Sequence, residues 1–226
     1  MGYSQYNFND RSARTTTFMS KSFGETFKQR EIHESMDPKK ALIREARDSE
    51  ANPLSIPIIL GLDVTGSMGY IPHHLIKEGL PKLVSSLKER GIKSPAILFA
   101  AVGDSRCDKA PFQVGQFESG DSELDMWLTR TWPEGGGGGN GGESYGWAWW
   151  FAAKRCVTDA WEKRKQKGFI FTIGDDNCHS ISSSEFSEVL GITNETMSVE
   201  EIYKQASEKW NVYHINMKGR GGSADF

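Results

Sequence analysis

The run Pro57-Ile58-Ile59-Leu60-Gly61-Leu62-Asp63-Val64-Thr65-Gly66-Ser67-Met68 restricts the fold more than any other stretch of the chain. Its first half is apolar and β-branched over the length of one strand, without the alternation of a half-solvated sheet, so it predicts a strand buried on both faces. The second half turns abruptly polar, and a segment with helical apolar spacing follows. A buried strand therefore ends in a loop that carries Asp63, Thr65 and Ser67 at alternate positions. Three oxygen-bearing side chains so spaced can converge on one point, which suits a small hard cation such as Mg²⁺ that prefers oxygen ligands and keeps waters.

Two further stretches repeat the theme. Pro95 to Asp104 is a second apolar strand, and Gly168-Phe169-Ile170-Phe171-Thr172-Ile173-Gly174-Asp175-Asp176-Asn177 is a third that runs into carboxylates. Between them Trp132-Pro133-Glu134 leads into Gly135 to Gly139, Asn140, Gly141, Gly142, Glu143 and Ser144, directly ahead of a helical pattern over residues 145 to 160. That places a backbone-permissive loop at a helix N-terminus, where free amides let an acidic group approach. The loop lacks the Gly-Lys-Ser/Thr ending of a phosphate-binding loop, and Glu143 would repel a phosphate. It also follows Trp132-Pro133 instead of an apolar strand, which argues against a dinucleotide fingerprint.

Asp63-x-Thr65-x-Ser67 at a strand end resembles the first loop of the metal-ion-dependent adhesion site of von Willebrand factor A domains, whose usual form is Asp-x-Ser-x-Ser; Thr65 keeps the hydroxyl. The resemblance covers roughly residues 54 to 217 and is to the intracellular, bacterial or phage-like type. It implies a three-layer α/β/α sandwich with a mostly parallel central sheet and one antiparallel edge strand. It also implies a bound Mg²⁺, or Mn²⁺ or Ca²⁺, held by Asp63, Thr65, Ser67, Glu143 and Asp175. Thr65 and Ser67 would be direct hydroxyl ligands, Glu143 would stand where many members carry threonine, and Asp175 would act through water. Asn140, Ser144 and Asp176 are auxiliary candidates. In that family an acidic residue of another protein completes the cation, so the implied function is cation-dependent protein binding in an intracellular assembly, with an AAA-type ATPase as one kind of partner.

Two other readings stay open. Phosphohydrolases of the haloacid dehalogenase type also begin with a strand-end Asp and hold Mg²⁺ with a later Gly-Asp-Asp, which Asp63 and Gly174-Asp175-Asp176 mimic. They carry Asp two positions after the nucleophile, where this chain has Thr65, and they want a lysine, for which Lys167 is the candidate. The third reading is a structural subunit with a degenerate site.

The remaining sequence sets the surroundings. At 226 residues one domain of ordinary size is expected, and 37% hydrophobic with 25% charged residues describes a globular chain. A net charge of −3 gives no case for bulk nucleic-acid binding, and no apolar run approaches the about 20 residues that span a bilayer. The first residues have no signal-peptide core and do not meet the myristoylation pattern. Three unevenly spaced cysteines, Cys107, Cys156 and Cys178, fit free thiols in a reducing cytoplasm; Cys178-His179 alone is a poor zinc motif.

Residues 1 to 36 read as a polar arm with spaced aromatics, either solvated or docked on the domain or a partner, where it could drive self-assembly. Residues 37 to 217 read as the domain. Asp37-Pro38 starts a predicted helix over residues 38 to 48, a candidate to cover a sheet face. Pro72 starts another through Arg90, with a kink near Gly79 and Pro81. Phe112 to Glu118 is a predicted antiparallel edge strand, Ser122 a predicted N-cap, and Ser182 and Ser198 start helices, the latter with a capping box. Asn211 to Met217 is a final strand, and residues 218 to 226 form a glycine-rich tail.

Overall fold

The computed structural model describes residues 4–136 and 142–217. In chain order the strands are β1 (Arg44–Ala46), β2 (Ile56–Asp63), β3 (Pro95–Val102), β4 (Phe112–Val114), β5 (Cys156–Thr158), β6 (Gly168–Gly174) and β7 (Trp210–Asn216). The α-helices are α1 (Phe8–Met19), α2 (Phe23–Thr26), α3 (Ile71–His74), α4 (Leu80–Glu89), α5 (Asp121–Arg130), α6 (Gly146–Arg155), α7 (Asp159–Arg164), α8 (Ser183–Leu190) and α9 (Val199–Lys209). The main sheet has the order β4-β3-β2-β6-β7, parallel except for the antiparallel edge strand β4. This is an α/β fold with helices on both faces of a mostly parallel sheet.

Strands β2 and β3 lie at the centre and are buried along almost their whole length, as their continuous apolar runs require. Their alternating side chains feed two cores. Ile59, Leu98, Ala100 and Val102 face Trp147, Trp150, Phe151, Phe186 and Ile202 from α6, α8 and α9. Ile58, Leu60, Leu62, Ile97 and Phe99 face Ile71, Ile76, Leu80, Val84, Leu124 and Leu128 from the opposite helices. Each such fully buried aliphatic side chain contributes roughly 1.5–3 kcal/mol.

The predicted break near Gly79 is a π-helical turn, Leu75–Gly79, between α3 and α4. Pro81 has no N–H to offer to the helix before it, and the wider turn takes up the mismatch. The arm docks on the same side. Tyr6, Phe18, Phe27 and Met36 are buried, while Phe8 and Phe23 stay exposed. Arg11 of α1, 1% exposed, forms an ion pair with the buried Asp125 of α5 and also reaches the Ile76 carbonyl at 3.5 Å.

Several local predictions yield to tertiary structure. Residues 38 to 48 form no helix: Asp37 closes a turn onto Lys40 and Ala41, and Arg44–Ala46 pairs in parallel with β5. Arg47 bonds Asp159 and Glu162, and Arg164 bonds Asp48, so long-range ion pairs hold this segment extended. It therefore does not cover the sheet face of β6 and β7, where Phe171 stacks on Tyr213 at 5.2 Å and Tyr213 and Ile215 are 50% and 44% exposed. The pattern over residues 145 to 160 divides: α6 ends at Arg155, β5 joins β1, and the Thr158 side chain caps α7. The N-cap of α5 is Gly120 and not Ser122, because Asp121, already in the helix, accepts the Asn7 N–H at 2.6 Å. Ser182 and Ser198 both cap their helices in complete capping boxes with Glu185 and Glu201. No helix among the described residues is long and apolar enough to cross a membrane. The predicted tail, residues 218 to 226, lies outside the described residues.

Two outcomes follow from these ion pairs. Arg11→Ala leaves the buried Asp125 carboxylate with the longer Arg14 contact at 3.5 Å and should cost about 3 kcal/mol in chemical denaturation, whereas a solvated arm would leave the midpoint unchanged. Burial pushes the Asp159 carboxyl up, but hydrogen bonds from Lys163, the Asp48 N–H and Arg47 outweigh it and hold the group down at about 2. Its contribution is then complete above the ordinary value of 3.8 and is lost as pH falls through about 2. Thermal midpoints of Asp159→Asn should consequently fall less steeply than those of the parent between pH 4 and 2.

Candidate metal centre

Parallel strands place their following loops together at the carboxyl edge of the sheet. The ends of β2, β3 and β6 meet there with the loop ahead of α6. Backbone hydrogen bonds lace these segments. Gly66 N–H donates to the Gly136 carbonyl at 2.7 Å, and Gly135 N–H to Val64 at 3.2 Å. Glu143 N–H donates to Asn177 at 2.7 Å, and Ser144 N–H to Gly103 at 3.1 Å. Gly135 has φ +72°, a conformation that costs glycine little and other residues more. A Cβ on Gly66 would lie 3.1 Å from the Gly135 carbonyl oxygen, so the first and second loops approach backbone to backbone.

Asp63 is fully buried at the end of β2. Its Oδ1 accepts the Thr65 N–H at 2.9 Å and the Thr65 hydroxyl at 2.6 Å, and its Oδ2 accepts the Tyr145 hydroxyl at 2.7 Å. Burial raises its pKa; the donors lower it, and the charge of Asp175 raises it again. Thr65 is buried beside it, and Ser67 is exposed at the turn two residues on. Asp175 and Asp176 are half-buried at the end of β6.

Glu143 is 7% exposed, and its Oε2 has no hydrogen-bond partner. Burial first, then the charges of Asp63, Asp104, Asp108 and Asp176, push its carboxyl up to about 9. A cation beside Glu143 would offset this repulsion and satisfy the orphan oxygen. Among the described residues no three His, Cys, Asp or Glu side chains form a metal cage by themselves. A cation held here would depend on hydroxyl oxygens and waters as much as on carboxylates, which is the donor set of Mg²⁺. Glu143 and Asp63 supply charge, and the Thr65 hydroxyl, whose proton goes to Asp63, keeps lone pairs for a metal.

Other candidates are placed less favourably. Asn140 lies outside the described residues. The Ser144 hydroxyl is fully buried and engaged elsewhere, accepting the Ser105 N–H at 2.9 Å and contacting Ser105 Oγ at 2.7 Å and His179 Nε2 at 3.3 Å. This network continues through His179 to Asp104 at 3.0 Å and through Ser105 to Glu185 at 2.7 Å. Burial pushes the Cys178 thiol up to about 11, away from the thiolate that zinc needs. Lys167 sits at the amino end of β6, opposite the acidic loops, and donates to the Ser207 carbonyl at 2.7 Å. His214 contacts Thr172 Oγ1 at 3.0 Å and packs on the Tyr145 ring at 4.7 Å.

Sequence reading gave no role to Tyr145 or Asp104 and weighed His179 only as half of a zinc pair with Cys178. Asp104 does follow an apolar strand, the same signal that marked Asp63 and Asp175. Tyr145 opens a helix pattern and gives no comparable sign.

No protein-family model matches the chain, and no curated protein matches it. The pilus adhesin SpaC of Lactobacillus rhamnosus GG, in its open conformation, is one solved structure similar to it, at 12% identity and a TM-score of 0.38. That match covers 57% of this chain and 15% of the adhesin chain.

Packing at the third loop can be checked directly. A Cβ at position 174 would lie 1.9 Å from the Tyr145 hydroxyl oxygen. Gly174→Ala should therefore destabilise by about 1–3 kcal/mol in urea unfolding, the usual cost of overpacking.

Proposed function

We propose that the chain is a von Willebrand factor A-like protein-binding module whose carboxyl-edge loops hold one divalent cation, Mg²⁺ by preference, for completion by an acidic group of a partner protein. The observation that carries this reading is the meeting of three chain segments around Asp63, with Thr65 bonded to it, Asp175 within electrostatic reach and the orphan oxygen of Glu143 close by. Thr65, Ser67 and Glu143 would hold the ion, and Asp63 and Asp175 would balance its charge through hydroxyls and water. When bound, the cation supplies a positive centre for an external carboxylate. The exposed Ser67 leaves that side of the site open to a partner.

Binding suits the residues better than phosphoryl transfer. Both oxygens of Asp63 are occupied by hydrogen bonds, Thr65 stands in place of a general acid, and Lys167 is committed at the other edge of the sheet. The partner is specified here only by its chemistry, a protein offering Asp or Glu in an intracellular assembly; an ATPase subunit of the AAA type would satisfy it.

Isothermal titration with MgCl₂ or MnCl₂ provides the test. The parent should bind one ion, and Ser67→Ala and Asp175→Ala should each weaken it by about tenfold or more with thermal midpoints little changed. Unchanged affinity in both variants would sink the reading. So would Mg²⁺-dependent turnover of phosphate esters that Asp63→Asn abolishes.

A further inference from the structure

Tyr145 is the group at the carboxyl edge whose hydroxyl the packing of the core does not require. The residue is fully buried, and its ring packs against His214 at 4.7 Å, a contact that phenylalanine would make equally well. Its hydroxyl, however, is placed with care. It donates to Asp63 Oδ2 at 2.7 Å and lies 1.9 Å from where a Cβ on Gly174 would stand, so one oxygen joins the first loop to the end of β6. It reaches Asp63 across position 174, where any side chain would strike it. A tyrosine at 145 and a glycine at 174 thus form one device, 29 residues apart in sequence.

The consequence lies in the lone pairs of Asp63. A carboxylate oxygen has about two acceptor sites. Oδ1 already accepts two donors, the N–H and the hydroxyl of Thr65, and is saturated. Oδ2 accepts Tyr145 and has one site left. Asp63 cannot present both oxygens to a metal, and its remaining acceptor is held toward α6. Mg²⁺ tolerates this, because it is bound by few protein ligands and keeps several waters in a tight octahedron. Ca²⁺ prefers six to eight oxygens and commonly uses a carboxylate through both of them.

We propose that Tyr145 is a positioning residue that sets ion selectivity. By taking one of the two acceptor sites of Asp63 Oδ2 it limits that carboxylate to at most one direct bond to a cation and so favours Mg²⁺ or Mn²⁺ over Ca²⁺. The inference rests on the cation reading of the site and adds to it the residue that chooses the ion.

The test uses the full chain, parent and Tyr145→Phe, titrated calorimetrically with MgCl₂, MnCl₂ and CaCl₂, with the thermal midpoint of each protein recorded. Tyr145→Phe should lose about ten- to a hundredfold in Mg²⁺ affinity, the range typical of groups that orient metal ligands, and its Ca²⁺ affinity should hold or rise. The ratio of the two constants is the diagnostic, because general loosening of the site would weaken both ions alike. Electron paramagnetic resonance of bound Mn²⁺ gives a second readout: the count of exchangeable waters should fall in Tyr145→Phe as Oδ2 enters the coordination shell. If the parent binds Mg²⁺ and the Mg²⁺ to Ca²⁺ ratio is the same in both proteins, the role assigned to Tyr145 is wrong while the cation site stands. If the parent binds none of the three ions, both are wrong. Should Tyr145→Phe fail to fold, Gly174→Ser, which would push the hydroxyl off Asp63 while keeping the phenol, must shift the ratio in the same direction, and an unshifted ratio there overturns the assignment.

Discussion

A carboxylate buried at the end of the central strand is the constraint around which this edge of the molecule is arranged. An ionised Asp63 without partners would be expelled from such a position or would stay protonated, since an unpaired buried charge is among the most expensive groups a fold can carry. Three donors surround it instead, two from Thr65 and one from Tyr145. They come from two segments of chain, and both must be in place. The Thr65 donors require the tight turn after β2, and the Tyr145 donor requires α6 to begin where it does.

The glycine-rich loop belongs to the same arrangement. Taken alone it reads as a linker, but its described ends are pinned by backbone hydrogen bonds, at Gly135 and Gly136 to the first loop and at Glu143 to the third. Glycine is used there for close approach, and one chain can touch the other only because neither carries a side chain at the contact. Burial and, after it, the repulsion among the acidic groups gathered by this lacing push the Glu143 carboxyl above its ordinary range.

How much of this could be read from the residues depends on the distance over which each feature is determined. The strands β2, β3 and β6 are legible because continuous apolar runs are a local signal, and the caps at Ser182 and Ser198 are legible because a capping box spans four residues. Asp63 and Asp175 stand out as carboxylates ending apolar runs. The segment that includes β1 misleads, since Asp37-Pro38 is a fair helix start, while pairing with β5 and ion pairs to Asp159, Glu162 and Arg164, all more than a hundred positions away, hold it extended. Tyr145 is invisible for the same reason, its acceptor being 82 residues upstream. Where a side chain's role is set by a partner so distant, periodicity carries no trace of it.

The π turn between α3 and α4 has a mechanical corollary. A π turn accommodates one residue more than an α-helical turn, so everything after it is rotated by roughly 100° about the helix axis. Leu80 and Val84, which follow the turn, point at the sheet. Removal of a single residue from 75 to 79 would close the wide turn, leave Pro81 inside a regular helix and rotate the apolar stripe that follows by about 100°. In this helix local regularity and global packing oppose one another, and the irregular turn reconciles them.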